Sequence, residues 1–459
     1  MRRDRLEQKV LTYIREQNML APGEKVLLAV SGGSDSTALL AVISALAPEL
    51  GITIGVVHLD HSLRPSSWQE AELVEEHCHR FEVPLYTRTT DVRSYCRERR
   101  VGLEAGAREV RHQWIKEAAI LFGAGHIATA HHRDDQAETV LLHLLRGTGL
   151  KGLGGMEPAG KDYIRPLLSC GKEELVNYLK HRGISFLEDE SNLDVTYLRN
   201  RVRHQLLPLL EADYNPAIRE RLFMLGELAR QDYEFISTAA VKVSNRAVRK
   251  VDAECWGIDI AVWEKEPAAI RSQIIMQILA QVRGTEDFTK HDIEAIINLA
   301  KSPGSAKMVK LSGQVTVTRE YGFLYLRSHK KPSGLKSFSY QLTIPGRTVI
   351  TERKMIITAG YQLPSAAADG QAIALNASVC PVYLVVRSRC RGDRISLPGG
   401  TKKISDWMVD HKIPFRERAS QMLLANGQEI VWIEGGPVAV TYQPQSGKDR
   451  VWITIEPQK

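Results

Sequence analysis

From residue 25 to about 210, short β-branched runs alternate with longer stretches of helical period. KVLLAV, ITIGVVHL, PLYTRTT and HIATAH read as strands, and helical patterns fill residues 36–47, 67–82, 104–122 and 134–145. Apolar runs of strand length separated by helices predict an α/β domain, a parallel sheet flanked by helices. Ahead of it, Leu6, Val10, Leu11 and Ile14 fall at helical spacing. After Asn215 and Pro216 the pattern is predominantly helical to about residue 300, with Leu222, Leu225, Leu228 and Ala229 forming one apolar face of a second, all-helical unit. MVKLSGQVTVTRE and FLYLRS then read as strands and HKKPSGLKS as a linker. PVYLVVRSR and EIVWIEG predict a small mixed or β-rich terminal domain. The expected organisation is three domains: 1–213, a mainly helical 214–330, and 331–459.

Composition narrows the classes. A chain of 459 residues, 43% apolar and 25% charged, is long and balanced enough for several buried cores, which excludes a peptide-like or fibrous protein and makes disorder not the default. Lysine and arginine outnumber the acids by 61 to 54, a net charge of +7 that favours a polyanionic partner. The six cysteines form no CxxC pair and no zinc spacing, which fits a reducing cytoplasm. His77, Cys78 and His79 are neighbours on a predicted helix, so they point different ways and cannot converge on one ion. The first twenty residues carry too many charges for a signal peptide or a membrane span, and a cytoplasmic protein is expected.

The chemistry begins at SGGSDS, Ser31 to Ser36, between the strand KVLLAV and the helix TALLAVISAL. Gly32 and Gly33 let the backbone turn sharply, so that successive amides form an anion nest. The following helix adds its positive end, and Ser31, Ser34 and Ser36 add hydroxyl donors. Such a cradle suits pyrophosphate. Asp35 inside it makes sense if Mg2+ bridges the carboxylate and the phosphates. Neither GxxxxGK[ST] nor GxGxxG is present at this junction, which counts against kinases and dehydrogenases.

SGGxDS is similar to the loop of the PP-loop ATP pyrophosphatases, which join a nucleophile to the α-phosphate of ATP and expel pyrophosphate. Three further segments follow in the order found in tRNA(Ile)-lysidine synthetases. HLDHSLRPSS carries His58, Asp60, His61, Leu63 and Arg64. TAHHRDDQAET carries His131, His132, Asp134, Asp135, Glu138 and Thr139, and LLRGTGLKGLGGM comes next. EAGAREVRHQW (Glu104, Arg108, Arg111) and DESNLDVTYLRNRVRHQLLP (Asp189, Ser191, Asn192, Arg199, Asn200, Arg203) extend the likeness, so the chain resembles that family over nearly all of its first 210 residues. RCRGDR, GGTKKISD and HKIPFRERAS resemble the family's last domain, although Ser420 and its neighbours depart from a Pro-containing version.

The resemblance implies a ligase that uses ATP and Mg2+ to join free lysine to the wobble cytidine of a CAU-anticodon tRNA(Ile). The base carbonyl attacks the α-phosphate, and the lysine amine then displaces AMP. Implied partners are that tRNA and free L-lysine, with no membrane; a homodimer is admitted, although the sequence does not fix the oligomeric state. The implied terminal domain reads the acceptor region.

The residues offer matching candidates. Lysine arrives as an ammonium with a pKa of about 10.4, which carboxylates can hold. Asp135 and Glu138 share a helical face at DDQAET and are expected, with Asp35, to be catalytic; on their own they also read as acids satisfying a helix dipole. Glu104, Arg108 and Arg111 share another face, either as a solvent-facing ion pair or with an arginine fork on phosphate or the lysine carboxylate. Arg199, Arg201 and Arg203, beside His204, are expected to touch RNA. So are Arg387, Arg389 and Arg391, which with Arg394 follow a predicted strand and turn; alternation places the first three on one face, and a solvated strand is the plainer alternative. Rival readings are a tRNA thiolase, which would want the missing CxxC, a GMP or NAD synthetase, and an inactive RNA-binding module.

Overall fold

The computed structural model describes residues 4–60, 67–187, 198–284, 288–303, 307–328, 337–362, 372–381, 383–413, 415–445 and 449–458. They divide into two compact units, Met1–Phe235 and Ile236–Lys459. His61, Leu63, Arg64, Asp189, Ser191, Asn192 and the Glu104 side chain lie outside the described residues, as does most of the expected linker.

In the first unit, α1 (Arg5–Glu16) precedes β1 (Lys25–Ala29), α2 (Ser34–Leu50), β2 (Thr53–Asp60), α3 (Ser67–Arg80), β3 (Leu85–Thr89), α4 (Val92–Arg99), α5 (Leu103–Phe122) and β4 (His126–Ala128). Then come α6 (Arg133–Arg146), α7 (Leu150–Leu153), β5 (Tyr163–Ile164) and α8 (Lys172–Arg182). The sheet is parallel in the order β3-β2-β1-β4-β5. Val26 and Leu28 of β1 pack into one core with α2, whereas Leu27 packs opposite with Trp114 of α5. That alternation explains why Val26 to Val30 has no polar position. Chain order reverses between β1 and β4, so the loops at their carboxyl ends open the crevice where doubly wound sheets hold ligands.

A helical run follows: α9 (Leu198–Arg201), a π-turn over Val202–Leu206, and α10 (Leu207–Asp213). It packs on α6 through Val202, Leu207 and Val140. The long α11 (Ile218–Ala247) joins this cluster through Leu222. Its inward face is not the expected one: Leu222 and Ala229 are buried, but Leu225 and Leu228 are exposed. Gly226 takes their place, close enough to α6 that a Cβ would lie 3.2 Å from Val140.

The second unit corrects the all-helical expectation. A strand pair, β6 (Val248–Asp252) and β7 (Cys255–Asp259), precedes α12 (Ile260–Trp263), α13 (Ala268–Arg283) and α14 (Lys290–Lys301). It joins β8 (Lys307–Leu311), β9 (Val315–Glu320) and β10 (Phe323–Ser328) in one sheet over Ile274, Ile278 and Trp263. Charged Arg249, Lys250 and Asp252 on an exposed strand hid its period.

The rest is β-rich, as expected. One sheet comprises β11 (Ser339–Gln341), β15 (Val385–Arg387), β16 (Arg394–Leu397), β17 (Gly400–Lys403), β18 (Leu423–Asn426) and β19 (Glu429–Ile433). The other comprises β12 (Gly346–Ile350), β13 (Met355–Gly360), β14 (Ala372–Asn376) and β20 (Arg450–Pro457). With α15 (Ile404–Asp410) they enclose Trp407, Leu424 and Ile453.

Candidate functional site

The SGGSDS loop links β1 to α2. Gly32 has φ +91°, which an L side chain adopts only with strain, and Gly33 caps α2 without a side-chain hydrogen bond. Ser36 is buried and shapes the loop from within: its hydroxyl donates to the Gly33 carbonyl at 3.0 Å and accepts from the Ser31 amide at 3.1 Å. Ser31 and Ser34 stay nearer the surface, and Ser34 donates to Asp35 Oδ1 at 3.3 Å. The first-turn amides of α2 have no intrahelical partner, so this turn is a ready anion cradle.

Asp35 lies between His132 and Lys172, with its Oδ2 3.5 Å from His132 Nε2 and 3.5 Å from Lys172 Nζ. Burial by itself would raise its pKa, but the hydrogen bond and charge of His132, then Lys172, hold it below the ordinary carboxylate value. It is therefore ionised, and its 30% exposure leaves it open to a cation. Among the described residues no three His, Cys, Asp or Glu side chains gather as a metal cluster. A single carboxylate suits Mg2+, which commonly takes one or two and completes its shell with phosphates and water. Lys172, at the start of α8, carried no local signal in the sequence; only the fold brings it to Asp35.

His132 was a motif letter in the sequence and proves to be the joint of the site. It caps α6, its Nδ1 accepting from the Asp134 amide at 3.2 Å while Asp135 Oδ2 accepts from the His132 amide at 3.1 Å. Accepting at Nδ1 places the ring proton on Nε2, facing Asp135 Oδ2 at 3.4 Å as well as Asp35. Burial opposes a charge on this ring, but the Asp35 hydrogen bond and the charges of Asp135, Asp35 and Asp134 together raise its pKa. His131 behaves oppositely. Burial, against the pull of Asp135 and with help from Arg165, Arg199 and His132, lowers it to about 4, and its Nδ1 lies 2.9 Å from Thr129 Oγ1.

Asp135 and Glu138 do share one face of α6, and both are buried. Two arginines satisfy them. Arg203 donates through Nε to Glu138 Oε1 and through Nη2 to Asp135 Oδ1 at 2.7 Å and Glu138 Oε2 at 3.0 Å. Arg199 donates to Glu138 Oε2 at 3.1 Å. Buried carboxylates need such partners. The expected RNA-facing trio thus divides: Arg199 and Arg203 turn onto the acidic pair, and Arg201 is exposed. The i, i+4 spacing of Arg199 and Arg203 suits the i, i+3 spacing of Asp135 and Glu138, but spacing within each segment does not say that the two meet. Arg108 and Arg111 are exposed one turn apart on α5.

The C-terminal arginines correct the expected geometry. Strand β15 ends at Arg387, so Arg387, Arg389 and Arg391 do not line one strand face. Arg387 is buried and donates through both Nη atoms to Asp393 at 2.8 Å each, while Arg389 and Arg391 project from the exposed turn beyond it. The carboxylate two residues past Arg391 holds the Arg387 side chain inside, where the strand stops.

A PP-loop domain model matches residues 3–210, and a TilS substrate C-terminal domain model matches residues 384–455. A tRNA(Ile)-lysidine synthase from Geobacter sulfurreducens is 32% identical over 447 residues, covering 94% of this chain and 93% of the relative. This chain belongs to the tRNA(Ile)-lysidine synthase family. Members from Symbiobacterium thermophilum and Caldanaerobacter subterraneus are 30% and 28% identical, each covering 97% of this chain. Family membership carries ATP use with it. The cleft that holds Asp35, His132, Asp135 and Glu138 lies wholly inside the PP-loop match, and the Arg387 turn inside the C-terminal one. Among the described residues no helix is long and apolar enough to cross a membrane.

Proposed function

We infer that this chain joins free lysine to the wobble cytidine of a CAU-anticodon tRNA(Ile) at the expense of ATP. The observation that carries the reading is the His132 bridge, which sets an anion cradle and a buried acidic pair within one crevice. Both halves of the reaction need that proximity. The cytidine carbonyl oxygen attacks the α-phosphorus of ATP and pyrophosphate departs, because the oxygen leaves readily only once adenylated. The lysine amine, having lost a proton, then attacks the base carbon that bears the adenylated oxygen, and that carbon–oxygen bond breaks as AMP departs. Holding base, nucleotide and amine together replaces encounters in solution with positioning.

In this reading the Ser31–Ser36 turn holds the phosphates, and Asp35 would hold Mg2+, which screens the phosphate charge. Asp135 and Glu138 receive the lysine ammonium, with Arg199 and Arg203 exchanging part of their contact for it. Arg108 and Arg111 supply a fork for phosphate or the amino-acid carboxylate. Arg201, Arg389 and Arg391 face the RNA, and the protein works in the cytoplasm. The test is stoichiometry. Pyrophosphate should appear only with the tRNA present, and AMP should follow only when lysine is added; pyrophosphate release that ignores the tRNA would sink the reading.

A further inference from the structure

The terminal sheet carries cations that chemistry at the PP-loop does not use. Arg389, Arg391, Arg394 and Lys403 are exposed, and among the described residues none has an ion-pair partner. Arg394 of β16 lies directly opposite Lys403 of β17, a cross-strand pairing of like charges that weakens a sheet. Glu429 is the register partner of Arg394 on the other side, but its carboxylate accepts from Tyr442 Oη at 3.1 Å.

The turn between β15 and β16 is held from inside. Asp393 accepts both Nη groups of Arg387 and the Cys390 amide at 2.7 Å. Arg387 also donates to the carbonyls of Ser388 at 3.0 Å and Gly427 at 2.7 Å. Gly392 adopts φ +99°, and the Asp393 carbonyl and Arg394 amide are tied to Ile404 and Gln428. The backbone is fixed on both sides, and the arginine side chains stand out from it. A fixed group of unpaired like charges repels itself until a polyanion lies against it.

We propose that the buried Arg387–Asp393 pair is a strut that presents Arg389, Arg391, Arg394 and Lys403 as one phosphate-gripping cluster to the tRNA backbone. The proposal rests on the tRNA-acting reading above. Arg387 is then a positioning residue that acts through Asp393 and does not touch RNA. Contacts of this kind fix the docking of the RNA and carry no base preference.

The test measures affinity of the full chain for a CAU-anticodon tRNA(Ile) transcript between about 50 and 200 mM salt. Arg389→Ala with Arg391→Ala, and separately Arg394→Ala with Lys403→Ala, should each lower the salt slope by about two. Asp393→Asn is decisive, since it removes a negative charge and keeps all four cations. Charge alone predicts tighter binding; the strut predicts weaker binding with a smaller salt slope. Because that variant strands a buried guanidinium, Gly392→Ala is the second probe, disturbing the turn through its positive φ while every charge stays. Should Asp393→Asn fail to fold, Gly392→Ala decides. Wild-type affinity and slope in the folded turn variants would overturn the strut, and wild-type values in the cation variants would overturn the cluster. Lysine transfer is read in parallel, with the tRNA KM expected to rise and kcat at saturating tRNA to hold. A wild-type chain that transferred no lysine would remove the functional reading and leave the salt slopes to judge the cluster.

Discussion

The imidazole Nε2 of His132 stands 3.5 Å from Asp35 Oδ2, so one ring ties the start of α2 to the start of α6. Cap and bridge are separable. His132→Ala should cost about 1 kcal/mol of stability through the lost cap and should slow pyrophosphate release. His132→Asn keeps a good capping side chain but cannot reach Asp35, so the melting temperature should recover while the rate does not. Recovery of both would show that the bridge has no part in the chemistry.

Asp35→Asn should fold normally, since the side chain is partly exposed and an amide oxygen can still accept from His132 and Lys172. It should lose tRNA-dependent adenylation, because a neutral amide holds Mg2+ poorly. Pyrophosphate release at the wild-type rate would contradict the assignment.

Glu138→Gln should raise the apparent lysine KM by about tenfold, the loss of one charge-assisted contact. A stability loss of about 1 to 3 kcal/mol should accompany it, since Arg199 and Arg203 lose a buried partner while keeping contact with water. Urea titration and steady-state kinetics separate the two effects. An unchanged lysine KM and rate would leave this carboxylate only its contact with the arginines.

His131 gives a pH signature. Its ordinary value is 6.5 and burial lowers it to about 4, so below pH 6.5 the unfolded chain binds a proton that the folded chain refuses. The stability held with a neutral ring is complete above 6.5 and is lost as pH falls from there toward 4. In His131→Gln the drop in melting temperature between about pH 7 and 5 should be smaller than in wild type. An equal drop would mean that this ring does not carry the dependence.

Period and turn chemistry made much of the first unit legible. The four strands and the helices between them are marked by apolar runs and by Gly32, whose positive φ the loop requires. The fifth strand, Tyr163–Ile164, is too short to show a period. The hairpin at Val248–Asp259 was hidden by its charged first strand. What remained illegible was long-range pairing. Nothing local to DDQAET shows that Arg203 closes on Glu138, or local to SGGSDS that Lys172 approaches Asp35. Arg387 misled because alternation assigns a face to a residue only while the strand continues, and β15 stops at Arg387, whose side chain Asp393 holds inside.

The central claim meets its most direct test in one incubation: the protein, ATP, radiolabelled lysine and a tRNA(Ile) transcript bearing a CAU anticodon, followed by recovery of the RNA. The account predicts label in the RNA, resistant to deacylation because it sits on a base, dependent on ATP and absent when the wobble cytidine is replaced by uridine. RNA that stays unlabelled, or label that survives the loss of that cytidine, would contradict it.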